Sequence, residues 1–218
     1  MVDALDPSAQ LDSGLSQLGI EPAAALTDPL FAYLDLLQQW NRAYNLTAIR
    51  QPGAMVARHL LDSLAIAPLL PNSAKRMIDV GSGAGLPGVP LAVLFPDREL
   101  HLLDSNGKKT RFLFQVKTTL GLDNMTVHHK RVETFTPDKP FDAVLSRAFA
   151  SLKDMVAGCA HLCGPEGIMY AMKGSWPAAE IAALPVGVSV LESHRLEVPG
   201  VEGERYLLKL ATCQPARG

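Results

Sequence analysis

A glycine-rich turn follows an apolar strand pattern and precedes a helical one, and residues 78–88 there read IDVGSGAGLPG. Glycines let the backbone turn sharply and approach a ligand closely, while N–H groups at the start of a helix can donate hydrogen bonds to it. Asp104 ends the next predicted strand, where an acid can accept hydrogen bonds from ribose hydroxyl groups. The turn and this acid together predict a binding site for a nucleoside-type cofactor.

Two cofactors compete for this site, a nicotinamide dinucleotide and S-adenosylmethionine. Gly83, Gly85 and Gly88 form the dinucleotide pattern GxGxxG. Asp79 favours the methyl donor instead, because an acid directly before the turn repels a pyrophosphate and can help to hold a methionine ammonium group. Glu133 also favours the methyl donor, since this acid follows the third predicted strand, where an adenine edge would lie.

Basic residues near this site are candidates for contacts with a polyanionic substrate. Lys108, Lys109 and Arg111 open the helix after the second strand, and Lys173 ends the fifth strand. The chain as a whole carries 20 Lys and Arg against 22 Asp and Glu, a net charge of −2. This balance excludes a binder that works through bulk positive charge, so any contacts with nucleic acid must be local.

Residues 1–74 are predicted to form helices. Apolar residues at helical spacing indicate helices over 7–18, 29–40 and 52–65, with Pro29 in the first turn of the second. Arg58 and Asp62 are four residues apart in the third helix, which predicts a surface pair of opposite charge. We interpret residues 1–74 as a helical N-terminal extension that packs on the domain after it.

From residue 75 short apolar strands alternate with helical patterns, which is typical of a parallel sheet with helices on both faces. The strands are predicted over 76–80, 99–103, 125–128, 142–146 and 167–173, and the helices over 86–95, 107–120 and 152–162. Two further strands, over 186–192 and 205–210, have too short a connection for a crossover helix, so we expect them to pair antiparallel. The pattern predicts a seven-stranded α/β sheet.

Several further motifs accompany the glycine-rich turn. They read WNRAYNLT at 40–47, HLLDS at 59–63, LLDS at 102–105, FDAVLSRAFA at 141–150 and MKG at 172–174. Together they resemble the bacterial RsmG family, also called GidB, whose members methylate N7 of a guanine in 16S ribosomal RNA. The resemblance covers roughly residues 27–212.

This resemblance implies a Rossmann-like class I S-adenosylmethionine-dependent methyltransferase fold, with S-adenosylmethionine as cofactor and 16S rRNA of the small ribosomal subunit as partner. The methyltransferase domain is predicted over 75–212, with a tail at 213–218. The cofactor contacts of the family fall here on Gly81, Leu86, Val132, Glu133 and Arg147. Asp79, Gly83, Asp104 and Ser105 complete the predicted cofactor site. Arg147 can bind the methionine carboxylate, steer an rRNA phosphate or pair with an acid, and the sequence leaves these roles open.

The implied chemistry needs no dedicated acid or base, since N7 of guanine carries a lone pair and no proton. We therefore predict no catalytic residue. No metal site is predicted either, because Cys159 and Cys163 fit an apolar helical pattern as core residues. With Cys213 the chain has three cysteines, an odd number that predicts no disulfide framework. Two alternatives stay open, a noncatalytic rRNA-binding or assembly factor and a nicotinamide-dependent oxidoreductase.

Membrane and secretory signals are weak in this chain. The longest apolar runs, 64–70 and 88–95, are too short to span a membrane, and Asp3 and Asp6 lie where a signal peptide would be positively charged. We therefore expect a soluble cytoplasmic protein with no membrane partner. No heptad pattern argues for assembly, so a monomer is the expectation.

Overall fold

Seven strands form one mixed sheet, in the order β3-β2-β1-β4-β5-β7-β6, in this computed structural model, which describes residues 6–147, 149 and 151–212. The predicted tail at 213–218, with Cys213, lies outside the described residues. The strands are β1 (Arg76–Val80), β2 (Glu99–Asp104), β3 (Met125–His129), β4 (Phe141–Ser146), β5 (Cys163–Lys173), β6 (Val188–Arg195) and β7 (Tyr206–Thr212).

Helices precede the sheet and cover both of its faces. They are α1 (Pro7–Gln17), α2 (Ala24–Tyr44), α3 (Pro52–Met55), α4 (Asp62–Leu64), α5 (Gly88–Leu94), α6 (Gly107–Leu120), α7 (Leu152–Cys159) and α8 (Ala178–Ala182). One face of the sheet packs against α2, α5 and α6, and the other against α7. Within the described residues no helix is long and apolar enough to cross a membrane.

Strand β1 lies at the point where the strand order reverses. It pairs in parallel with both β2 and β4, so the chain crosses from one side of β1 to the other between β3 and β4. In such sheets a ligand crevice opens at the carboxyl ends of the strands at this point. Strand β7 pairs antiparallel with β5 and β6. The predicted parallel core and antiparallel end are both confirmed.

The helical extension and the sheet share one hydrophobic cluster. Leu11, Leu30 and Leu60 from the extension belong to it, as do Met77 and Leu102 from the sheet, and all five side chains are fully buried. The extension therefore packs on the domain along a largely apolar surface. The division of the chain at residue 74 stays a prediction.

Helix α2 begins at Ala24, earlier than the predicted start at Pro29. Pro29 thus lies inside the helix rather than in its first turn. Leu26 extends the buried face formed by Leu30 and Leu34, so burial of this face outweighs the backbone hydrogen bond that proline cannot donate.

Several other boundaries also differ from the prediction, and one helix was not predicted. Strand β5 begins at Cys163 rather than Gly167, and helix α5 begins at Gly88 rather than Leu86. Helix α8 has five residues and none of them is buried, so it lacks the apolar stripe that identifies a helix in a sequence.

The third predicted helix is interrupted by a π-helical segment, Val56–Leu61, between α3 and α4. The predicted surface pair of Arg58 with Asp62 is wrong, because Asp62 is buried and its carboxylate binds Arg147 and Arg205. A buried carboxylate needs close partners, and two arginines from distant segments supply them here.

Tyr33 connects helix α2 to the glycine-rich turn. Its ring is fully buried, and its hydroxyl donates a hydrogen bond to the carbonyl oxygen of Ala84 at 2.8 Å. We expect Tyr33→Phe to lower the free energy of unfolding by about 1–2 kcal/mol, because this buried carbonyl loses its donor. Urea unfolding measures the change. The control is Tyr44→Phe, at the half-exposed end of the same helix, which should change the free energy by less than about 0.5 kcal/mol. Equal values for the two variants would contradict this role of Tyr33.

Candidate functional site

Three adjoining cavities lie at the carboxyl ends of the strands. The first, called the β2–β3 cavity, has a volume of about 300 Å³. It is lined by Val80, Gly81, Leu103, Asp104, Ser105, Lys109, Lys130, Arg131, Val132, Glu133 and Phe149. Five residues predicted to bind the cofactor therefore line one cavity, namely Gly81, Asp104, Ser105, Val132 and Glu133.

Asp104 is held in place by two backbone N–H groups. Its Oδ2 accepts a hydrogen bond from the N–H of Gly83 at 2.9 Å, and its Oδ1 accepts one from the N–H of Asn106 at 2.8 Å. Lys109 Nζ lies 3.6 Å from Oδ2. A carboxylate has about four lone-pair sites, so Asp104 retains acceptor capacity toward the cavity that it lines. The predicted contact of Asp104 with ribose hydroxyl groups stays a prediction.

The glycine-rich turn uses its N–H groups inside the protein. Six of them donate to protein oxygens, those of Gly81, Ser82, Gly83, Gly85, Leu86 and Gly88. The expectation that N–H groups at the start of the helix are free for a ligand is wrong for these six. A pyrophosphate bound at such a turn needs free N–H donors, so the structure disfavours a dinucleotide here.

Asp79 lies behind the turn and is fully buried. Its Oδ2 accepts a hydrogen bond from the N–H of Gly88 at 3.0 Å, and Oδ1 has no hydrogen-bond partner among the described residues. Burial raises the pKa of Asp79 from 3.8 to about 7, although the Gly88 N–H and the charge of Arg147 act in the opposite direction. The predicted contact of Asp79 with the cofactor's ammonium group stays a prediction.

This raised pKa makes stability depend on pH. Between about pH 4 and about pH 7 the unfolded chain has lost the proton of Asp79, whereas the folded chain keeps it. The folded state then binds more protons, so the free energy of unfolding falls as pH rises through this range. We expect Asp79→Asn to remove a fall on the order of 4 kcal/mol, since the pKa is raised by about three units and one unit corresponds to about 1.4 kcal/mol. Urea unfolding of both proteins across this range measures the difference, and parallel pH curves would refute it.

The second cavity, called the turn cavity, adjoins the β2–β3 cavity through Gly81 and has a volume of about 200 Å³. It is lined by Leu46, Thr47, His59, Gly81, Ser82, Gly83, Ala84, Leu86 and Arg147. Thr47 is fixed by Asn41, whose side chain exchanges two hydrogen bonds of 2.9 Å with the Thr47 backbone. Thr47 Oγ1 lies 2.9 Å from Nε2 of His59. The helical extension thus forms one wall of the site.

The third cavity, called the β4–β5 cavity, adjoins the turn cavity through His59 and Arg147 and measures about 300 Å³. It is lined by Ile49, Arg58, His59, Asp62, Arg147, Met172, Lys173, Gly174, Leu196, Arg205 and Tyr206. Among the roles left open for Arg147, the structure shows pairing with an acid, since its NH1 lies 2.8 Å from Oδ2 of Asp62. Lys173 Nζ lies 2.8 Å from Oε2 of Glu180.

The four basic residues predicted to contact the substrate lie apart from one another. Lys173 lines the β4–β5 cavity, whereas Lys109 lines the β2–β3 cavity beside Asp104. Lys108 Nζ lies 6.0 Å from the ring centre of Tyr44, and Arg111 is exposed on helix α6. Of these four, Lys173 is the one that lines the β4–β5 cavity, which it shares with Arg147 among the predicted cofactor residues.

Sequence reasoning assigned no site role to Lys130, Phe149, Thr47, His59 and Arg205, which line these cavities. For three of them a signal existed, because they lie inside the motifs at 40–47, 59–63 and 141–150. Arg205 lies outside those motifs and reaches the site through the fold alone.

The chain is closely similar to known proteins over most of its length. A family model described as GidB, rRNA small subunit methyltransferase G, matches residues 27–208. The "Ribosomal RNA small subunit methyltransferase G" of Cellvibrio japonicus is 52% identical over 209 residues, which cover 94% of this chain and 95% of that protein. The protein of the same name from Pseudomonas aeruginosa strain LESB58 is 54% identical over 201 residues, which cover 92% of this chain and 94% of that protein.

Solved structures with low sequence identity share the fold. The glycopeptide N-methyltransferase MtfA, complexed with S-adenosyl-L-methionine, has a TM-score of 0.57 at 12% identity and covers 71% of this chain and 87% of its own. A ribosomal protein L11 methylase from Lactobacillus delbrueckii has a TM-score of 0.54 at 14% identity, and the match covers 71% of this chain and 77% of that protein. The fold is therefore that of methyltransferases, and the match of the family model over residues 27–208 shows that this chain belongs to the GidB family of rRNA small subunit methyltransferases.

Proposed function

We propose that this chain transfers a methyl group from S-adenosylmethionine to N7 of a guanine in 16S rRNA. The carrying observation is the order of the three cavities. The β2–β3 cavity presents the carboxylate of Asp104, the turn cavity follows it, and the β4–β5 cavity beyond is lined by basic residues. This order suits adenosine in the first, the methionine part in the second and an acceptor base in the third.

The residues of the first two cavities fit this cofactor. Asp104 has acceptor capacity for ribose hydroxyl groups, and Val132 and Glu133 line the same cavity, where an adenine would lie. The N–H groups of the turn at Gly81, Ser82 and Gly83 are already paired, which disfavours a phosphate there. S-adenosylmethionine lacks phosphate and supplies, when bound, a methyl group on a cationic sulfur.

Methylation of N7 requires mainly that the protein orient the guanine base. Guanine N7 attacks with a lone pair and loses no proton, so the protein needs no general base. Catalysis then depends on holding the base in line with the methyl group at about 3–3.5 Å, and on an electrostatic environment that tolerates a cationic purine. His59 is suited to line such a site without a charge, because burial lowers its pKa below the usual value.

The RNA is proposed to be recognised within the small subunit rather than as free RNA. A net charge of −2 gives little nonspecific attraction to phosphate, so shape and a flipped-out base must supply specificity. We propose that the enzyme acts in the cytoplasm as a monomer. Light scattering during size-exclusion chromatography tests the monomer.

Transfer of labelled methyl from S-adenosylmethionine to small subunits, naked 16S rRNA and total protein tests this function. The RNA product is mapped by chemical cleavage at N7-methylguanine. We expect label at one guanine, with small subunits preferred over naked rRNA. Cofactor binding without transfer to any RNA would refute the enzyme and favour the assembly factor. Saturable NAD binding without S-adenosylhomocysteine binding would favour the oxidoreductase.

A further inference from the structure

Four basic side chains line the β4–β5 cavity, and one of them, Lys173, is paired with Glu180 outside its lining. Arg58, Arg147, Lys173 and Arg205 line it, and Asp62 is the acid among its lining residues in the described part of the chain. A neutral guanine tolerates such surroundings, whereas a cationic N7-methylguanine is repelled by them. The balance of charge in this cavity therefore bears on the transfer step itself.

Asp62 contacts two of these cations, Arg147 and Arg205. Its side chain is 9% exposed, its Oδ2 lies 2.8 Å from NH1 of Arg147, and its Oδ1 lies 3.0 Å from Nε of Arg205. The two arginines follow β4 and precede β7, while Asp62 begins α4 in the extension. One carboxylate thus joins three segments that are far apart in the sequence. Burial of this carboxylate is compensated by two close cationic partners.

Methyl transfer moves a positive charge toward this carboxylate. The N7 lone pair forms the new bond to carbon, the carbon–sulfur bond breaks with its electron pair on sulfur, and the purine takes over the positive charge. The charge leaves the donor side and appears on the acceptor side, where Asp62 lies between Arg147 and Arg205. A fixed negative charge at that place stabilises the developing cation more than the neutral base, which is the requirement for lowering the barrier.

From this arrangement, and resting on the function proposed above, we infer that Asp62 is the electrostatic and positioning residue of the acceptor cavity. It holds Arg147 and Arg205 in place and offsets part of their charge, so that the cationic product is repelled less as it forms. The reaction itself needs no proton from Asp62. Its role depends on its charge and its position.

Three variants separate charge from shape. Asp62→Asn keeps the shape and removes the charge, and Asp62→Glu keeps the charge. Asp138→Asn is the matched control, because Asp138 pairs with Arg76 at 2.5 Å in another arginine–carboxylate pair and is largely exposed. Melting temperatures and S-adenosylhomocysteine affinity show that each variant is folded and binds the cofactor product.

Two measurements carry the test. In single turnover on unmethylated small subunits, we expect Asp62→Asn to be at least about 30-fold slower than the wild type, with Asp62→Glu recovering most of the rate. Binding is measured with S-adenosylhomocysteine present. We expect the affinities of the wild type for methylated and unmethylated subunits to agree within about 3-fold. We expect Asp62→Asn to bind methylated subunits at least about 10-fold more weakly than unmethylated ones. The control should match the wild type in both.

The outcomes distinguish this inference from the proposed function. If the wild type makes no N7-methylguanine on small subunits, the proposed function fails. If the wild type is active and Asp62→Asn has the same rate and the same affinity ratio, the inference fails and the function stands. A folded Asp62→Glu variant as slow as Asp62→Asn would show that shape, not charge, matters, and would also overturn the inference.

Discussion

The Asp104→Ala variant is expected to bind S-adenosylmethionine at least about 100-fold more weakly than the wild type. The carboxylate that lines the β2–β3 cavity would be lost, and hydrogen bonds to a charged group contribute about 1.5–3 kcal/mol each. The N–H of Gly83 would also lose its acceptor, which loosens the turn. A 100-fold change corresponds to about 2.7 kcal/mol, so loss of two ribose hydrogen bonds suffices. Isothermal titration calorimetry with S-adenosylmethionine measures it.

Asp142→Ala is a matched control for this variant. The Oδ2 of Asp142 also accepts hydrogen bonds from two backbone N–H groups, those of Lys75 and Arg76, at 2.9 Å and 2.8 Å. These contacts lie at the start of β1, whereas the cavities lie at the opposite, carboxyl ends of the strands. We expect Asp142→Ala to lower stability and to leave cofactor affinity within about 2-fold. Equal loss of affinity in both variants would mean that Asp104 acts through the fold and not through the cavity.

The Gly85→Ala variant is expected to lower the free energy of unfolding by about 3 kcal/mol or more and to weaken cofactor binding with it. Gly85 has φ of 91°, and a left-handed conformation costs other residues about 1–2 kcal/mol. A Cβ here would also lie 2.5 Å from Cγ2 of Val89 and 2.8 Å from Cδ2 of Leu113. Overpacking of this kind costs about 1–3 kcal/mol. The backbone strain and the overpacking would both displace the turn, which lines the cavities described above.

Gly121→Ala isolates the conformational part of this cost. Gly121 has φ of 64° at the end of α6, and a Cβ there would have no atom within 4 Å. We expect it to lose only about 1 kcal/mol and to bind the cofactor normally. Urea unfolding of the two variants gives the difference. A Gly85→Ala variant no less stable than Gly121→Ala would contradict the close packing around the turn.

Much of the fold was determined by local patterns. The alternation of apolar strands with helices from residue 75 predicted the parallel strands, because a strand buried on both faces must be continuously apolar. The short connection between the last two strands predicted their antiparallel pairing, which is confirmed. The turn at 78–88 and Asp104 lie together for the same reason, since they lie at the carboxyl ends of two parallel strands that pair. The motifs also identified the family, which the comparisons confirm.

Only the tertiary structure determined which charged residues meet in the cavities. The pairing of Asp62 with Arg205 joins residues 143 positions apart, and no local spacing encodes it. An i,i+4 rule predicted Arg58 as the partner because that rule assumes a solvent-exposed helix, whereas Asp62 is buried. Lys109 likewise lies beside Asp104 in the β2–β3 cavity, which its position in a basic run did not indicate. Local spacing determines which elements form, while the charges that share a cavity depend on how distant elements pack.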